Sequence, residues 1–273
     1  MPYRSVGLAA LVAGVVVAGV VHRLRVLTPV ASGMAGAFAA SLIGWGGWAW
    51  ALPGALFFGG SALVSRIGHL QKEKHAHRVE SSGPRTARQV LANGGVAWLC
   101  LGLQIVGPGQ ALVWYGAALG AFATAAADTW ATEVGTLSNR PPRSLRTGQR
   151  VPTGTSGAVS VVGTAGAAVG ATTVALGAWA GVTLTSTAVV SISAPALIGI
   201  VVASGLLGMG ADGLAGATLQ ARYRHPATGE WTERPPAPGA VPARGWSGLR
   251  NNAVNLIGTT VGASAAAMLL VGA

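Results

Sequence analysis

The chain has 273 residues, of which 51% are hydrophobic and only 9% are charged. Soluble globular proteins carry about 25% charged residues, so this composition excludes an ordinary soluble domain. The formal net charge of +11 would suit a nucleic-acid partner, but the basic residues lie only in the connections between long apolar segments. That distribution is the topology signal of a membrane protein. The single cysteine, Cys100, allows neither a disulfide nor a metal cluster.

Apolar segments of about 18–25 residues recur along the chain and match the roughly 30 Å hydrocarbon core of a bilayer. They predict an all-α, polytopic transmembrane helix bundle of about eight helices, forming a single domain over residues 1–273. The 42 glycines favour close contact between helices, because small residues let backbones approach. The predicted spans are 5–21, 30–46, 48–67, 89–106, 110–133, 157–181, 191–211 and 252–271.

The boundary between the second and third spans is the weakest of these predictions, and seven helices are the alternative count. Together the two spans form about 38 apolar residues, which as one helix would be about 57 Å long at 1.5 Å per residue. Because that length is too great for one crossing, we predict a break at Gly46-Gly47, with Pro53 helping the next helix to begin.

The orientation follows from the basic residues. With eight spans, every Lys and Arg except Arg4 falls on connections at one side of the membrane. The positive-inside rule makes that side cytoplasmic and places both termini outside the cytoplasm. The first span is predicted to be retained, since Arg23 and Arg25 follow it where a signal peptide would have a small-residue cleavage site. We therefore expect a multi-pass protein of the cell (inner) membrane, in contact with bilayer lipid.

Three predicted cytoplasmic loops are long, at residues 68–88, 136–156 and 216–251. The third contains residues 223–232, whose composition predicts a small β-hairpin with its turn at 227–229. The proline-rich run at 235–239 predicts a linker after it.

Acidic residues are rare, and three of the seven end long apolar segments: Asp128, Glu133 and Asp212. A carboxylate at the bilayer boundary is costly without a partner, so these three predict a functional site. Mg²⁺ prefers oxygen ligands and usually takes one or two carboxylates together with substrate phosphates. We therefore predict a magnesium–phosphate site. Asp128 and Thr132 share a helix face, whereas Glu133 lies about 140° around the helix from Asp128 and is expected to meet a different neighbour.

Further polar residues fall at the same predicted cytoplasmic ends. The segment Gly154-Thr155-Ser156-Gly157 precedes the sixth span, where free N–H groups and a helix dipole would favour phosphate, although Ser and Thr are also ordinary helix caps. Arg143, Arg146 and Arg150 flank it and would add charge-assisted bonds. Asparagines at these ends can equally serve helix packing. The other residues at these ends are Gln89, Asn93, Thr129, Asn251, Asn252 and Asn255.

Five segments, in this order, resemble those of the integral-membrane family called domain of unknown function 92, which includes plant phytyl-phosphate kinases and a related animal transmembrane protein. Each segment alone is weakly specific, and the set is specific. The segments are Gln89-Val90-Leu91-Ala92-Asn93-Gly94, Asp128-Thr129-Trp130-Ala131-Thr132-Glu133-Val134-Gly135, Val151-Pro152-Thr153-Gly154-Thr155-Ser156-Gly157, Asp212-Gly213-Leu214-Ala215-Gly216-Ala217-Thr218-Leu219-Gln220 and Asn251-Asn252-Ala253-Val254-Asn255.

The resemblance implies a kinase that transfers phosphate from a nucleoside triphosphate to an isoprenyl monophosphate of the phytyl or geranylgeranyl type. It implies Asp128, Glu133 and Asp212 as Mg²⁺ ligands, with Asn252 and Asn255 orienting phosphate oxygens or a metal-bound water. A transporter of an anion or lipid phosphate and a cytidylyltransferase-like enzyme are the alternatives. The implied phosphate-binding residues are Gln89, Asn93, Thr129, Thr132, Arg143, Arg150, Gly154, Thr155, Ser156, Gly157, Gln220 and Asn251.

Overall fold

The computed structural model describes residues 7–67, 83–185 and 192–271, so residues 68–82 of the predicted loop 68–88 lie outside it. The described part forms a bundle of eight α-helices, as predicted. The helices α3 to α8 are long and apolar enough to cross a membrane, and α1 is a shorter apolar helix. The helices are α1 Leu8–Arg23, α2 Pro29–Ser41, α3 Trp48–Ile67, α4 Ala87–Val106, α5 Ala111–Gly135, α6 Val161–Thr185, α7 Ala194–Thr218 and α8 Asn251–Val271.

The predicted break between the second and third spans is confirmed. Helix α2 continues as a π-helix over Leu42–Gly46, and the chain then turns at Gly47, whose φ of 66° suits glycine. Pro53 does not begin the next helix, because it lies inside α3. Proline has no N–H, so the Ala49 carbonyl loses its helical donor. The Tyr115 hydroxyl of α5 donates to that carbonyl at 3.1 Å.

Close helix contacts depend on glycine, as the composition predicted. A Cβ on Gly14 of α1 would lie 2.6 Å from the carbonyl oxygen of Gly36 in α2, and a Cβ on Gly36 would lie equally close to that of Gly14. Helix α5 occupies the centre, since its side chains are buried without interruption from residue 115 to residue 127. Small side chains thus allow α5 to be surrounded by its neighbours.

The long connections gather at one end of the bundle, where α1, α3, α5 and α7 end and α2, α4, α6 and α8 begin. We call this the loop-rich end. Contacts across it join Leu27 to Arg85 by a β-bridge and Ser156 to Gln220 by a hydrogen bond. Every site residue predicted from the sequence lies at or near this end, because the helices alternate in direction.

Two short antiparallel hairpins lie at the loop-rich end. Strand β1 (Arg143–Ser144) pairs with β2 (Ala158–Val159), and β3 (Tyr223–Arg224) pairs with β4 (Trp231–Thr232) where the hairpin was predicted. The β1–β2 pair was not predicted, and it delays the start of α6 from the predicted residue 157 to Val161. Residues 154–157 therefore precede strand β2 and not, as predicted, a helix, which begins only at Val161.

Candidate functional site

A group of polar side chains from five helices and one connection converges at the loop-rich end. Helices α3, α4, α5, α7 and α8 contribute to it, together with the residue two before α4. We call this group the polar cluster, and its members are Ser65, Arg85, Asn93, Asp128, Glu133, Asp212 and Asn255.

One side of the polar cluster is a relay of hydrogen bonds through Ser65. Glu133 is only 3% exposed, and its Oε1 accepts a hydrogen bond from the Ser65 hydroxyl at 2.8 Å. The same hydroxyl accepts a hydrogen bond from Arg85 Nη2 at 3.0 Å. The Arg85 backbone is itself held, since its N–H donates to the Val26 carbonyl and its carbonyl accepts from the Thr28 N–H, each at 3.0 Å. The α1–α2 connection therefore fixes Arg85 beside the carboxylates.

Arg85 is the main residue that the sequence did not reveal. Burial lowers the pKa of its guanidinium, and the carboxylates of Glu133 and Asp128 act in the opposite direction. A signal existed, because Arg85 directly precedes Thr86, the N-cap of α4. The Gln89 side chain, predicted as a phosphate ligand, accepts a hydrogen bond from the Thr86 N–H at 2.8 Å in a capping box.

The other side of the polar cluster is organised by Asn255. This residue is 9% exposed, and its amide lies between Asn93 of α4 and Asp212 of α7. A carboxylate only accepts hydrogen bonds, so the amide nitrogen faces Asp212. In that orientation the nitrogen donates to Asp212 Oδ2 at 3.1 Å and to the Asn251 carbonyl at 3.0 Å, and the oxygen faces the Asn93 amide. The predicted residues Asn93, Asp212, Asn251 and Asn255 are thus brought together.

The carboxylates do not form a three-ligand metal site. Asp128 interacts electrostatically with Glu133 and with Asp212, but no three His, Cys, Asp or Glu side chains in the described ranges form a group that could hold a metal ion. Glu133 is directed to Ser65 on α3, in line with the expectation that it meets a different neighbour. Asp128 and Asp212 remain as a pair, and two carboxylates suit Mg²⁺ when phosphate and water complete its ligands.

Residues 154–157 form a turn beside the end of α7. Gly154 and Gly157 have φ of 82° and 68°, values that suit glycine. The Ser156 hydroxyl donates to Gln220 Oε1 at 2.6 Å. Gln220 is 2% exposed, and its Nε2 has no hydrogen-bond partner among the described residues. The Thr155 hydroxyl donates to the Pro152 carbonyl at 2.7 Å within the turn.

The remaining predicted residues are less centrally placed. Thr129 is buried within α5, whereas Thr132 is exposed. Asn252 is half-buried in the first turn of α8. Arg143 and Arg150 are both exposed and are joined by a backbone bridge, and the Arg143 guanidinium donates to the Gly148 carbonyl of its own loop at 2.9 Å.

Three other arginines lie together, and we call them the arginine cluster: Arg146, Arg222 and Arg244. Burial lowers the pKa of Arg222, Glu233 opposes that change, and the guanidinium groups of Arg244, Arg224 and Arg146 reinforce it. The backbones of Arg222 and Arg244 exchange hydrogen bonds of 2.8 and 3.2 Å. Glu233 also interacts electrostatically with Asp212, so the arginine cluster borders the polar cluster. The sequence singled out Arg146 as a flanking cation of residues 154–157, but it did not distinguish Arg222 and Arg244 from the other loop cations.

An apolar cavity of about 540 Å³ reaches the polar cluster from within the bundle. Helices α1 to α4 form its walls, with Phe122 of α5 beneath. Four polar residues line the end of the cavity near the loops, namely Arg66, Arg85, Gln89 and Asn93. Arg85 and Asn93 therefore belong both to the polar cluster and to the cavity wall.

The fold and the polar cluster define a multi-pass helical membrane protein with a polar site at one end of its bundle. The chain belongs to the family described as integral membrane protein DUF92, whose family model matches residues 12–263. This match agrees with the resemblance found in the sequence.

Several relatives are membrane proteins. The chain is 39% identical over 115 residues to an uncharacterized membrane protein of Methanocaldococcus jannaschii, covering 42% of this chain and 46% of that protein. It is 39% identical over 160 residues to an uncharacterized membrane protein of Synechocystis, and the match covers 56% of this chain and 60% of that protein. It is 28% identical over 225 residues to Protein PGR of Arabidopsis thaliana, and the match covers 74% of this chain and 75% of that protein. The chain thus spans less than two thirds of the first two relatives. No solved structure matches it.

Proposed function

We propose that the protein is a membrane-embedded kinase that transfers a phosphate from a nucleoside triphosphate to an isoprenyl monophosphate, giving the diphosphate. The observation that carries this proposal is that Arg85 lies both in the polar cluster and in the wall of the apolar cavity. A lipid phosphate needs both surroundings, because guanidinium groups pair with phosphate and apolar walls favour hydrocarbon. The protein would act in the cell inner membrane, with the loop-rich end facing the nucleotide in the cytoplasm.

The reaction joins an oxygen of the acceptor monophosphate to the γ-phosphorus of the triphosphate. The bond from that phosphorus to the β–γ bridging oxygen breaks, and the nucleoside diphosphate leaves with the electron pair. The acceptor phosphate is already anionic, so no side chain has to act as a base. Phosphoryl transfer then depends on positioning and on neutralisation of charge.

The acceptor phosphate would lie at the polar end of the cavity. Arg85 would pair with it, because a guanidinium group presents a planar fork that matches phosphate oxygens. Ser65 and Glu133 would act as positioning residues, since they hold the guanidinium through hydrogen bonds of 3.0 and 2.8 Å. Asn93 would contact the acceptor, and Asn255 would keep the Asp212 carboxylate in place through its 3.1 Å hydrogen bond.

The donor nucleotide would approach from the other side of the carboxylates. There the arginine cluster gathers three guanidinium groups close to Glu233 and Asp212. Like charges held together are stabilised when phosphate oxygens bind between them. Asp128 and Asp212 would hold Mg²⁺, which when bound neutralises phosphate charge.

The experiment is turnover by the purified full chain in detergent with Mg²⁺. Phytyl, geranylgeranyl and farnesyl monophosphates are offered with each nucleoside triphosphate, and prenyl diphosphate is measured by mass spectrometry. We expect Asp128→Asn to lower product formation by about a hundredfold or more, as removal of a group that stabilises the transition state does. Glu230→Gln, which changes an exposed carboxylate of the β3–β4 hairpin, is the matched control.

Three outcomes would reject the kinase. Unchanged turnover by the Asp128→Asn protein would show that the polar cluster is not the site of the reaction. Release of pyrophosphate in place of nucleoside diphosphate would indicate a cytidylyltransferase-like enzyme. Flux of substrate across sealed vesicles without nucleotide consumption would indicate a transporter.

A further inference from the structure

We infer that the apolar cavity binds the isoprenyl chain of the substrate, that the chain enters it sideways from the bilayer between α1 and α3, and that the depth of the cavity sets the longest chain accepted. This inference rests on the proposed function for the class of lipid. It assigns a chain site and an entrance that are separate from the phosphate-binding residues.

The cavity is long and lined almost wholly by apolar side chains. Helix α3 contributes residues to it from Trp48 to Arg66. At 1.5 Å per residue these positions span about 27 Å along the helix, which approaches the roughly 30 Å of a bilayer's hydrocarbon core. A single extended hydrocarbon chain lying along α3 would therefore be buried over most of this depth. Trp48 and Leu52 lie at the far end of this path.

The charge of the cavity wall identifies which end holds the headgroup. Arg66 and Arg85 lie at one end together with the amides of Gln89 and Asn93, and none of the described residues lining the cavity is acidic. An anionic headgroup is therefore favoured at that end and a hydrocarbon along the remainder. The occupant is thus a long-chain lipid whose phosphate meets Arg85.

The entrance lies where the cavity wall itself is open to the bilayer. Val16 and Val20 of α1 and Leu63 of α3 line the cavity and are 56%, 49% and 63% exposed. Hydrocarbon can exchange between the bilayer and such a surface at little cost, because both are apolar. Helix α1 packs on α2 through Gly14 and Gly36, which leaves its other face turned toward the opening.

Gly59 offers a direct way to shorten the cavity. It lines the cavity, and a Cβ placed on it would have no atom within 4 Å, so a larger side chain would project into open space. Gly59 lies seven residues before Arg66, which is about 10 Å along the helix from the polar end. A Cβ on Gly33 of α2 also meets nothing within 4 Å, but Gly33 does not line the cavity. Gly59→Phe and Gly33→Phe are therefore a matched pair.

The test measures binding of geranyl, farnesyl and geranylgeranyl monophosphates to the full chain in detergent, without nucleotide, by native mass spectrometry. We expect Gly59→Phe to weaken the binding of geranylgeranyl monophosphate by about tenfold or more, because the methylenes that the phenyl ring excludes lose their apolar burial. The binding of geranyl monophosphate to Gly59→Phe should weaken by less than about threefold. Gly33→Phe should leave the binding of all three lipids unchanged. Ala55→Phe, at another exposed position of the cavity wall, serves if Gly59→Phe does not fold.

The outcomes separate this inference from the kinase. The chain site would be overturned if Gly59→Phe weakened the binding of all three lipids equally or left the preference for chain length unchanged. It would also be overturned if the two-chain lipid dioleoyl phosphatidate bound more strongly than the prenyl monophosphates. Turnover with a chain-length preference that Gly59→Phe leaves unchanged would also overturn it while the kinase stands. Chain-length-dependent binding that Gly59→Phe abolishes, without any diphosphate formed, would support the chain site and reject the kinase.

Discussion

Tyr115 of α5 supplies the hydrogen bond that Pro53 removes from α3. The carbonyl of Ala49 would pair with the N–H four residues later in a regular helix, and proline has none. The Tyr115 hydroxyl reaches that carbonyl at 3.1 Å, and the Tyr115 side chain is 2% exposed. A polar group left unpaired in an apolar interior is costly, so this contact couples the two helices that border the cavity and the polar cluster.

We expect Tyr115→Phe to lower the free energy of unfolding by about 1–3 kcal/mol, because it leaves the Ala49 carbonyl without a donor. In a Pro53→Ala background the loss should be smaller, since the alanine N–H can restore the helical hydrogen bond. Thermal unfolding of the four proteins in one detergent measures this cycle. Equal losses in both backgrounds would show that Tyr115 does not compensate for Pro53.

Arg85 should contribute to stability as well as to phosphate binding. Its guanidinium lies beside Glu133 and Asp128 and donates to Ser65 at 3.0 Å. Arg85→Gln removes the cation that interacts with these two carboxylates, and we expect a loss of about 3 kcal/mol in the free energy of unfolding. Arg85→Lys should retain part of the stability but lose the fork geometry.

Arg88→Gln is the matched control for Arg85, because it removes an exposed cation from the same end of α4. The melting temperature of the Arg88→Gln protein in detergent should be nearly the same as that of the unsubstituted protein. If Arg85→Gln and Arg88→Gln melted alike, Arg85 would be an ordinary loop cation, as its sequence context suggests.

The helices were predictable because each follows from a local property of the chain. Apolar segments of membrane-spanning length predict the helices, and Gly46-Gly47 predicted the break between two of them. The carboxylates of Asp128 and Asp212 stood out because charge is rare within such segments. These signals need no knowledge of what the residues contact.

The residues that were missed depend on contacts between distant parts of the chain. Arg85 resembles any other loop cation until the α1–α2 connection fixes it beside Glu133. The start of α6 was misplaced because the two-residue strands β1 and β2 are too short to give a periodic pattern. Arg222 and Arg244 likewise come together only through the backbone bridge between them.

Arg146 should act on the nucleotide and not on the lipid. It lies in the exposed loop between β1 and β2 and interacts electrostatically with Arg222 and Arg244. We expect Arg146→Gln to raise the KM for the nucleoside triphosphate by about tenfold, the effect of one charge-assisted hydrogen bond. The preference for lipid chain length should stay as it is, because the cavity is untouched.

Arg140→Gln is the control, since Arg140 is an exposed cation of the same connection between α5 and α6, before β1. Steady-state kinetics with nucleotide varied and lipid fixed measures the difference between the two variants. A rise in KM for the lipid in place of the nucleotide would assign the arginine cluster to the acceptor.

The predicted orientation can be tested with single cysteines. Cys100 is the only cysteine in the sequence and is buried, so Cys100→Ala gives a cysteine-free background. Ala237→Cys places a thiol in the connection between α7 and α8, and Gly109→Cys places one between α4 and α5, both at exposed positions. The positive-inside rule predicts that a membrane-impermeant maleimide labels Gly109→Cys in intact cells and Ala237→Cys only after the membrane is opened.

The opposite labelling pattern would have a direct consequence for function. It would place the loop-rich end, with the polar cluster and the arginine cluster, outside the cytoplasm. Nucleoside triphosphates are supplied in the cytoplasm, so the arginine cluster would then have no donor to bind and the kinase would lose its phosphate source. The cavity could still hold a lipid phosphate in that orientation, because its entrance opens toward the bilayer at Val20 and Leu63.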